Sequence, residues 1–472
     1  MVLSLNNLFD FKKYADNIAL ITYEKEITYH QLDQLTIEYG SYIKERSLVF
    51  LICTNTIESV VAYLSIIKFG SVCLLIGDNN IEELLKKYKP EYVFSPKAKE
   101  LDIKVVKEFD SYRLYKTAYD VDYKLSDDLA ILLTTSGSTG SPKFVRIAYE
   151  NIVSNTNSIS EYLNINTQDR AITTMPMNYS YGLSIINTHL SKGATVILTE
   201  SSIMNREFWD LLKEKKVTNF GGVPYIYEIL KKLRFEKMNL PSLKYITQAG
   251  GKLNTNLVLE FHEVCTKKGI EFFVMYGQTE ATARMSYLPP SALPKKAGSM
   301  GITIPNGRFV IVDDEGNMIE DSEVIGELLY YGKNVSLGYS QSCYDLNAEN
   351  ENKGCLHTGD LAKRDADGYY YIAGRKKRFV KVFGNRVNLD EFEQIVKSYG
   401  YDCVCGGQDD NLIIYLTDHN IDKTELLNNL MTKTGLNKSA FSVVFINEIP
   451  RNESGKTLYY KLDNLKGNGD VI

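Results

Sequence analysis

The stretch LLTTSGSTGSPK, residues 132–143, decides how the remainder of this sequence is interpreted. A mostly apolar run at 128–133 leads into it and is long enough for one buried strand. The glycines that follow let backbone N–H groups approach an anion, the hydroxyl groups add donors, and a lysine adds positive charge. The pattern predicts a strand that delivers a phosphate-binding loop, although an ordinary Ser/Gly-rich surface turn has the same composition. The candidate phosphate ligands are Thr135, Ser136, Gly137, Ser138, Thr139, Gly140 and Lys143.

Two other nucleotide-binding motifs do not fit this sequence. The P-loop pattern G-x-x-x-x-G-K-[ST] has a glycine before its lysine and a hydroxyl residue after it, whereas Lys143 lies between Pro142 and Phe144. The sequence also lacks a Gly-x-Gly-x-x-Gly turn between a plausible strand and helix. A Walker-type ATPase and a Rossmann dinucleotide site are therefore unsupported.

Three further stretches, together with this loop, resemble the motifs of the AMP-forming adenylate-forming enzymes. They are YGQTEAT at 276–282, LHTGDLAKRDADGYYYIAGRKKRFVKVFGNRVNLDEFE at 356–393 and PRNESGK at 450–456, and they follow the family order. A weaker match, ITYHQLDQL at 27–35, resembles the opening helix signature. The chain therefore resembles acyl-CoA synthetases, the adenylation domains of peptide synthetases and luciferase over nearly its whole length.

Composition and charge agree with an ordinary soluble globular protein. The 472 residues, 44% hydrophobic and 24% charged, predict two to four domains. The net charge of −5 disfavours a nucleic-acid partner, because proteins that bind nucleic acids show a basic face. No apolar run approaches membrane-spanning length, and the first residues do not resemble a secretory signal. Seven scattered cysteines indicate neither a disulfide framework nor a zinc site, which favours a cytoplasmic location.

Helical and strand patterns alternate along the chain. Apolar residues at helical spacing from 57 to 64 stop at Gly70, and the run 72–76 then has the composition of a buried strand. The alternation predicts an α/β fold in which helices cover parallel sheets. The same succession returns around 185–198, 208–220 and 257–275.

The family resemblance implies a division into two domains. Residues 1–376 would form a large N-terminal AMP-binding domain of helix-covered sheets, and residues 377–472 a small, mobile C-terminal α+β lid domain. Lys377 would be the hinge about which this lid rotates between adenylation and thioester formation. On its own, the basic run 375–378 is typical of a solvated surface.

The resemblance also assigns catalytic roles around ATP. Lys456 would contact the carboxylate of the acid and the bridging oxygens of the nucleotide, and Thr279 would donate to the α-phosphate. Glu280 would bind Mg²⁺, which usually needs only one or two protein carboxylates beside phosphate oxygens. Lys381 would line the pantetheine tunnel in the second step.

Contacts to the nucleoside follow from the same motifs. Tyr276 would stack on adenine, unless it is an ordinary core tyrosine. Asp360 would accept hydrogen bonds from the ribose hydroxyls, as an acceptor-only carboxylate does well, and Arg375 would support the same sugar. An ordinary salt bridge between the two is the alternative. The glycines that would lie against the adenylate are Gly250, Gly251 and Gly277.

The acid is less well defined. MPMNYSYGLS at 175–184 occupies the place of the specificity motif, where amino-acid-activating relatives usually carry an aspartate for the substrate ammonium. This stretch has none, and a buried ammonium without a carboxylate is costly, so we expect a non-amino acid, aliphatic or aromatic. The candidate pocket residues are Tyr179, Ser180, Tyr181 and Gly298.

The sequence thus predicts a stand-alone, ATP-dependent acid–thiol ligase. An acyl-adenylate would form with release of pyrophosphate, and its acyl group would pass to a thiol with release of AMP. The thiol would belong to CoA or to the phosphopantetheine of a separate carrier protein, because no carrier serine motif follows Lys456. The alternatives are an amino-acid ligase that loads a separate carrier protein and a catalytically silent scaffold homologue.

Overall fold

The structure is a computed structural model. It describes residues 8–77, 81–134, 143–376, 378–382, 385–408, 410–451 and 457–462. These residues fall into two compact units, the first within 1–137, 141–308 and 330–356, and the second within 309–329 and 357–472. The domain boundary predicted after residue 376 stays a prediction, because contacts within one conformation do not reveal a hinge.

The first unit contains a nine-stranded sheet that is parallel at its centre. Its strands are β1 (Ile18–Ile21), β2 (Glu26–Thr28), β10 (Arg170–Ile172), β11 (Thr195–Ile197), β12 (Asn219–Gly222), β13 (Tyr245–Gln248), β14 (Glu271–Tyr276), β15 (Ser286–Leu288) and β16 (Ile302–Thr303). They lie in the order β16-β15-β14-β13-β12-β10-β11-β1-β2. The pairs from β1 through β11, β10, β12 and β13 to β14 are parallel, as the helix–strand alternation predicts.

An eight-stranded sheet is the second layer of this unit. Its strands are β3 (Leu48–Ile52), β4 (Val72–Ile76), β5 (Tyr92–Pro96), β6 (Lys104–Glu108), β7 (Tyr112–Lys116), β8 (Leu129–Thr134), β9 (Phe144–Ala148) and β19 (Gly338–Ser340). They lie in the order β19-β9-β8-β4-β3-β5-β7-β6. Strands β3 and β4 are buried at every residue, because parallel strands covered on both faces are apolar throughout.

Helices cover these sheets. Helix α1 carries the opening signature and begins with a capping box, in which Thr28 Oγ1 accepts from Gln31 N–H and the Gln31 side chain accepts from Thr28 N–H. The helices of the first unit are α1 (Tyr29–Gly40), α2 (Ile57–Lys68), α3 (Ile81–Tyr88), α4 (Tyr149–Tyr162), α5 (Ser180–Ser191), α6 (Arg206–Glu214), α7 (Pro224–Lys232), α8 (Thr255–Lys268) and α9 (Leu293–Lys296).

The second unit is an α+β assembly. It contains most of a four-stranded sheet, a two-stranded ribbon and a three-stranded sheet. The three-stranded sheet packs on helices around a core that includes Phe392, Val396 and Leu430. The strands are β17 (Arg308–Val312), β18 (Gly326–Tyr331), β20 (Cys355–Arg364), β21 (Tyr370–Arg375), β22 (Phe379–Val382), β23 (Asn385–Asn388), β24 (Cys403–Gln408), β25 (Asn411–Leu416) and β26 (Phe441–Phe445). The helices are α10 (Leu389–Ser398), α11 (Lys423–Thr434) and α12 (Tyr459–Leu462).

The predicted fold class is confirmed: helix-covered sheets build the larger unit and a smaller α+β unit follows. Within the described ranges, no helix combines the length and apolar character needed to cross a membrane.

Candidate functional site

The predicted phosphate loop joins two antiparallel strands. Strand β8 ends at Thr134 and β9 begins at Phe144, and these two residues pair across the sheet. Lys143 is exposed immediately before β9. The loop thus has a rigid, paired base in the middle of a sheet. The remaining candidate ligands lie outside the described residues: Thr135, Ser136, Gly137, Ser138, Thr139 and Gly140.

A tight turn follows the end of β14, where the YGQTEAT motif lies. Gly277 cannot carry a side chain, because a Cβ there would lie 1.8 Å from the carbonyl oxygen of Ala283. Thr282 and Ala283 have positive φ angles of 54° and 108°, which non-glycine residues rarely adopt. Such strain persists only where the surroundings over-determine the backbone, and it concentrates at functional sites.

Two sequence-predicted hydroxyl residues meet at this turn. Thr279 opens a short 3₁₀ turn, and its Oγ1 lies 3.1 Å from Oγ of Ser180, the first residue of α5. Tyr276, at the end of β14, is half-buried, and the Gln278 side-chain amide donates to its hydroxyl at 3.3 Å. The motif at 276–282 is thereby connected to α5, which begins within the segment predicted to determine specificity.

The Glu280 carboxylate has a partner that the sequence analysis did not anticipate. Tyr339 Oη donates to Glu280 Oε1 at 2.8 Å, and Tyr339 lies on β19 opposite Val145 of β9. Partial burial, reinforced by the Glu280 charge, raises the pKa of Tyr339, so the hydroxyl keeps its proton and acts as a donor. Glu280 is therefore held beside the strand that leaves the glycine-rich loop.

Two tyrosines of the segment predicted to determine specificity lie beyond this turn. Tyr179 and Tyr181 lie with ring centroids 6.4 Å apart, edge to face. Gly250, with φ +83°, leaves room for the Tyr179 hydroxyl, which a Cβ there would approach to 2.7 Å. Tyr181 Oη donates to the Thr247 carbonyl at 2.9 Å. Three of the predicted pocket and close-approach residues are therefore neighbours.

Gly251 and Gly298 have neighbours other than Tyr179 and Tyr181. A Cβ on Gly251 would meet Pro224 at 3.1 Å, and one on Gly298 would meet Thr255 Oγ1, at the start of α8, at 3.2 Å. The roles predicted for these two glycines stay predictions.

A small cavity lies against Tyr181 and runs along one face of α5. Its volume is about 20 Å³, room for one water-sized group. Serine, threonine and histidine side chains of α5 line it, together with Met275 and Arg284. The wall of the cavity includes Tyr181, Ser184, Thr188, His189, Met275 and Arg284.

Arg284 is the residue of this wall that sequence reasoning missed. Its side chain is buried, at 3% exposure, and the guanidinium carbon lies 3.9 Å from the centroid of the Tyr181 ring. Nη1 donates to the Ala283 carbonyl at 3.2 Å, whereas Nε has no hydrogen-bond partner. The only sequence signal is its place two residues after the YGQTEAT motif.

The predicted ribose residues pair with each other in the second unit. Asp360 of β20 and Arg375 of β21 are directly opposite in the antiparallel ladder. Arg375 Nε lies 3.2 Å from Asp360 Oδ1, and Asp360 is buried at 3% exposure. The salt bridge considered as an alternative is present, and it does not test ribose binding, because one carboxylate can accept several hydrogen bonds.

For the segments that carry the predicted lysines 377, 381 and 456, the structure describes mainly the flanking residues. Arg451 and Thr457 form an antiparallel bridge, and Leu458 N–H donates to Pro450 O at 2.8 Å, so the PRNESGK segment is closed at its base. The backbone of Lys381 lies in β22 opposite Arg386. The positions of Lys456 and Lys377, and the side chain of Lys381, lie outside the described part of the chain.

A partly buried ionic network joins the segments next to these motifs. The Arg378 guanidinium stacks on the Tyr459 ring at 3.6 Å and pairs with Asp390 Oδ1 at 2.8 Å. Tyr459 Oη donates to Glu393 Oε2 at 3.4 Å. Burial raises the pKa of Asp390, partly offset by the Arg378 charge. The residue after the predicted hinge is thus fixed to the helix that follows the lysine motif.

Comparison with known proteins identifies the class as the AMP-forming acid–thiol ligases. A family model described as AMP-binding enzyme matches residues 10–340, and the chain belongs to this family. The 2-succinylbenzoate–CoA ligase of Bacillus cytotoxicus is 25% identical over 474 residues, 95% of this chain and 96% of that protein.

Two further comparisons agree. The indoleacetate–CoA ligase of Aromatoleum aromaticum is 28% identical over 340 residues, 69% of this chain and 65% of the relative. This match therefore spans just under two thirds of that protein's length. The structure of o-succinylbenzoate coenzyme A synthetase from Bacillus subtilis in complex with ATP and magnesium ion has a TM-score of 0.79 at 23% identity, covering 97% of this chain and 99% of that one. At this identity the likeness establishes the fold.

Proposed function

We propose that this chain activates a small carboxylic acid other than an amino acid with ATP and transfers the acyl group to CoA. One observation carries the proposal: the 279–281 turn contacts both the acid pocket and the strand that leaves the glycine-rich loop. Ser180 makes the first contact, through Thr279, and Tyr339 makes the second, through Glu280. A carboxylate in the pocket and a phosphate chain at the loop would therefore meet at Thr279.

The chemistry needs donors at this meeting point. A carboxylate oxygen attacks the α-phosphorus of ATP, the bond to pyrophosphate breaks, and an acyl-adenylate forms. Because both reactants are anions, N–H and hydroxyl donors must stabilise the charge that develops on phosphorus. The paired hydroxyls of Thr279 and Ser180 are such donors, and Lys456 is the cation proposed to contact both reactants.

Glu280 fits the role of a magnesium ligand. Its carboxylate is half-buried and oriented by Tyr339, and the described residues hold no cluster of three or more metal-ligating side chains. A single carboxylate beside phosphate oxygens suits Mg²⁺, which keeps several of its waters. When bound, the ion would neutralise charge on the phosphates, while Tyr339 holds the carboxylate in place.

The pocket favours an acid without an ammonium group. The described cavity wall contains no carboxylate that could pair with one. Tyr179 and Tyr181 offer ring surface, and indoleacetate and 2-succinylbenzoate, the acids named for two relatives, both contain an aromatic ring. We therefore favour an aromatic acid, and keep an amino acid as the second candidate.

The acceptor and the sugar contacts belong to the same proposal. The relatives named above are CoA ligases, which supports CoA over a carrier protein, with Lys381 next to the thiol path. Asp360 and Arg375 are proposed to bind the ribose, and their pairing fixes both side chains at one place. All seven cysteines are free, which agrees with the cytoplasm as the proposed compartment.

Pyrophosphate exchange with a panel of aromatic, aliphatic and amino acids tests this function. We expect exchange with an aromatic acid in the absence of CoA, and release of AMP and thioester only when CoA is added. Exchange that only amino acids support would instead favour the carrier-loading alternative. ATP binding with no exchange for any acid would indicate a silent homologue.

A further inference from the structure

Arg284 is a buried cation for which the described residues offer no counter-charge. No described carboxylate lies within 4.0 Å of its guanidinium, and the side chain is 3% exposed. Removing a cation from water costs several kcal/mol unless an anion or a full set of hydrogen bonds compensates. The arginine therefore carries an unbalanced charge in a pocket wall.

The contacts that Arg284 does make compensate only in part. One face of the guanidinium rests on the Tyr181 ring, an interaction weaker than an ion pair. Nη1 donates to the neighbouring Ala283 carbonyl, the guanidinium also interacts with the Tyr162 and Tyr181 hydroxyls, and Nε has no hydrogen-bond partner. None of these groups carries a negative charge, whereas the fork of N–H donors on a guanidinium matches the two oxygens of a carboxylate.

The position of Arg284 is fixed by its backbone. Its carbonyl oxygen accepts from the side-chain amides of Asn155 and Asn334, each at 2.9 Å. Those two amides come from separate segments of the first unit, so the side chain starts from a rigid point. A preorganised cation of this kind is expected where binding demands a defined geometry.

The cavity extends away from the turn where chemistry is proposed. Ser180 contacts Thr279 at the start of α5, whereas Thr188, eight residues on, lines the cavity about 12 Å further along the helix axis. The hydrogen bonds of His189, at the same end, are those of an uncharged imidazole ring: Nδ1 donates to Ile185 O at 2.8 Å and Nε2 accepts from Asn219 at 3.1 Å. Arg284 is thus the one formal charge in the described wall.

We propose that the acid carries a second anionic group, and that Arg284 binds this distal carboxylate while the first carboxylate reacts at Thr279. The substrate class is then a dicarboxylic acid. This inference rests on the proposed function and adds a specificity residue to it. The cavity has room for only a water-sized group, so its wall would have to open around the body of the acid.

Matched pairs of acids test the inference in the pyrophosphate-exchange assay. Each pair consists of a dicarboxylic acid, aliphatic or aromatic, and its monomethyl ester, which keeps the length but loses one charge. We expect kcat/KM at least about tenfold higher for the diacid of the preferred length, because a buried donor is left unpaired by the ester. Arg284→Met should remove this preference, and Arg284→Lys should restore part of it.

Binding gives a second readout that does not depend on turnover. The diacid alone should raise the melting temperature of the wild type and of Arg284→Lys, but not of Arg284→Met. Arg170→Met is the matched control, because Arg170 also has a buried Nε without a partner but is not among the cavity residues. This control should keep both the diacid preference and the thermal shift.

The outcomes separate the two proposals. If the wild type uses diacids and monoesters equally while Arg284→Met impairs both, Arg284 binds the reacting carboxylate and the inference is wrong. Exchange with monocarboxylic acids only would also overturn the inference and leave the proposed function standing. Exchange with no acid at all would overturn the proposed function, and the inference with it.

Discussion

Tyr339 shows how one hydrogen bond can define a site. Its hydroxyl is the described donor to Glu280, and it reaches that carboxylate from a strand 59 residues further along the chain. Ligating carboxylates are usually held by such partners, and losing one typically costs about 10- to 100-fold in metal affinity or activity. The contribution of Tyr339 to Mg²⁺ binding can therefore be measured by removing its hydroxyl.

We expect Tyr339→Phe to raise the Mg²⁺ concentration needed for half-maximal adenylation by about tenfold. The measurement is pyrophosphate exchange at saturating ATP over a series of Mg²⁺ concentrations. Tyr344→Phe is the control, because the Tyr344 hydroxyl also donates to a carboxylate, Asp122 Oδ2, at 3.1 Å but lies on the surface. An equal effect of the two substitutions would show that Tyr339 does not orient Glu280.

At the scale of a structural element, the turn after β14 depends on a residue without a side chain. Gly277→Ala would bring a methyl group to 1.8 Å from a backbone oxygen, so the turn must open. We expect a loss of at least about 2 kcal/mol in the free energy of unfolding, or loss of exchange activity. Denaturant titration measures the first and pyrophosphate exchange the second.

Gly406→Ala is the control for that substitution. A Cβ at Gly406 would make only an ordinary contact with the Tyr415 ring at 3.4 Å, and no positive φ is involved. We expect this variant to retain activity and to change stability by less than about 1 kcal/mol. If Gly277→Ala behaves like Gly406→Ala, the turn is softer than its geometry indicates.

A buried histidine of helix α5, His189, makes the stability of the protein depend on pH. Burial lowers the pKa of His189 from its usual 6.5, although the hydrogen bond to Ile185 O and the charge of Asp169 oppose the shift. Below about pH 6.5, His189 therefore binds a proton in the unfolded chain but not in the folded one. The free energy of unfolding falls as the pH falls below that value. The facing groups are Asp169, which pairs with Lys244 at 3.1 Å, and the neutral Asn219 and Tyr245.

We expect the melting temperature to drop between pH 7.5 and 5.5, and to drop less for His189→Gln. Replacing the exposed His30 by glutamine should leave the pH dependence as in the wild type. Thermal melts of the three proteins at both pH values are the measurement. A pH dependence that is unchanged in His189→Gln would mean that His189 is not the group responsible.

Many of the strands and helices could be predicted from the sequence, because they depend on the pattern of apolar residues within a short segment. The runs 72–76 and 128–133 have the apolar composition of buried strands, and β4 and β8 lie at these positions. The partner of Glu280 could not be predicted, because it depends on the pairing of β19 with β9, segments about 190 residues apart. Arg284 left no periodic signal, since a single buried cation follows no pattern.

The two compact units of the whole molecule are not continuous in sequence. Residues 309–329 belong to the second compact unit although they precede the last strand of the first, a grouping that no local pattern indicates. The network of Arg378, Asp390 and Tyr459 lies within the second unit and joins the residue after the predicted hinge to the helix after the lysine motif. Both predicted lysines, 381 and 456, are thus close in sequence to one network.

Two lysines adjoining one network, but assigned to different steps, make a prediction about the complete reaction. We expect Lys456→Ala to abolish adenylate formation while thioester formation from supplied acyl-adenylate is largely kept, because its charge is needed only where two anions meet. Lys381→Ala should show the reverse. The measurements are pyrophosphate exchange for the first half-reaction and thioester formation from synthetic acyl-adenylate and CoA for the second. Lys461→Ala, an exposed lysine in α12, should leave both rates unchanged. Equal damage to both half-reactions by either substitution would contradict a lid that presents two faces in turn.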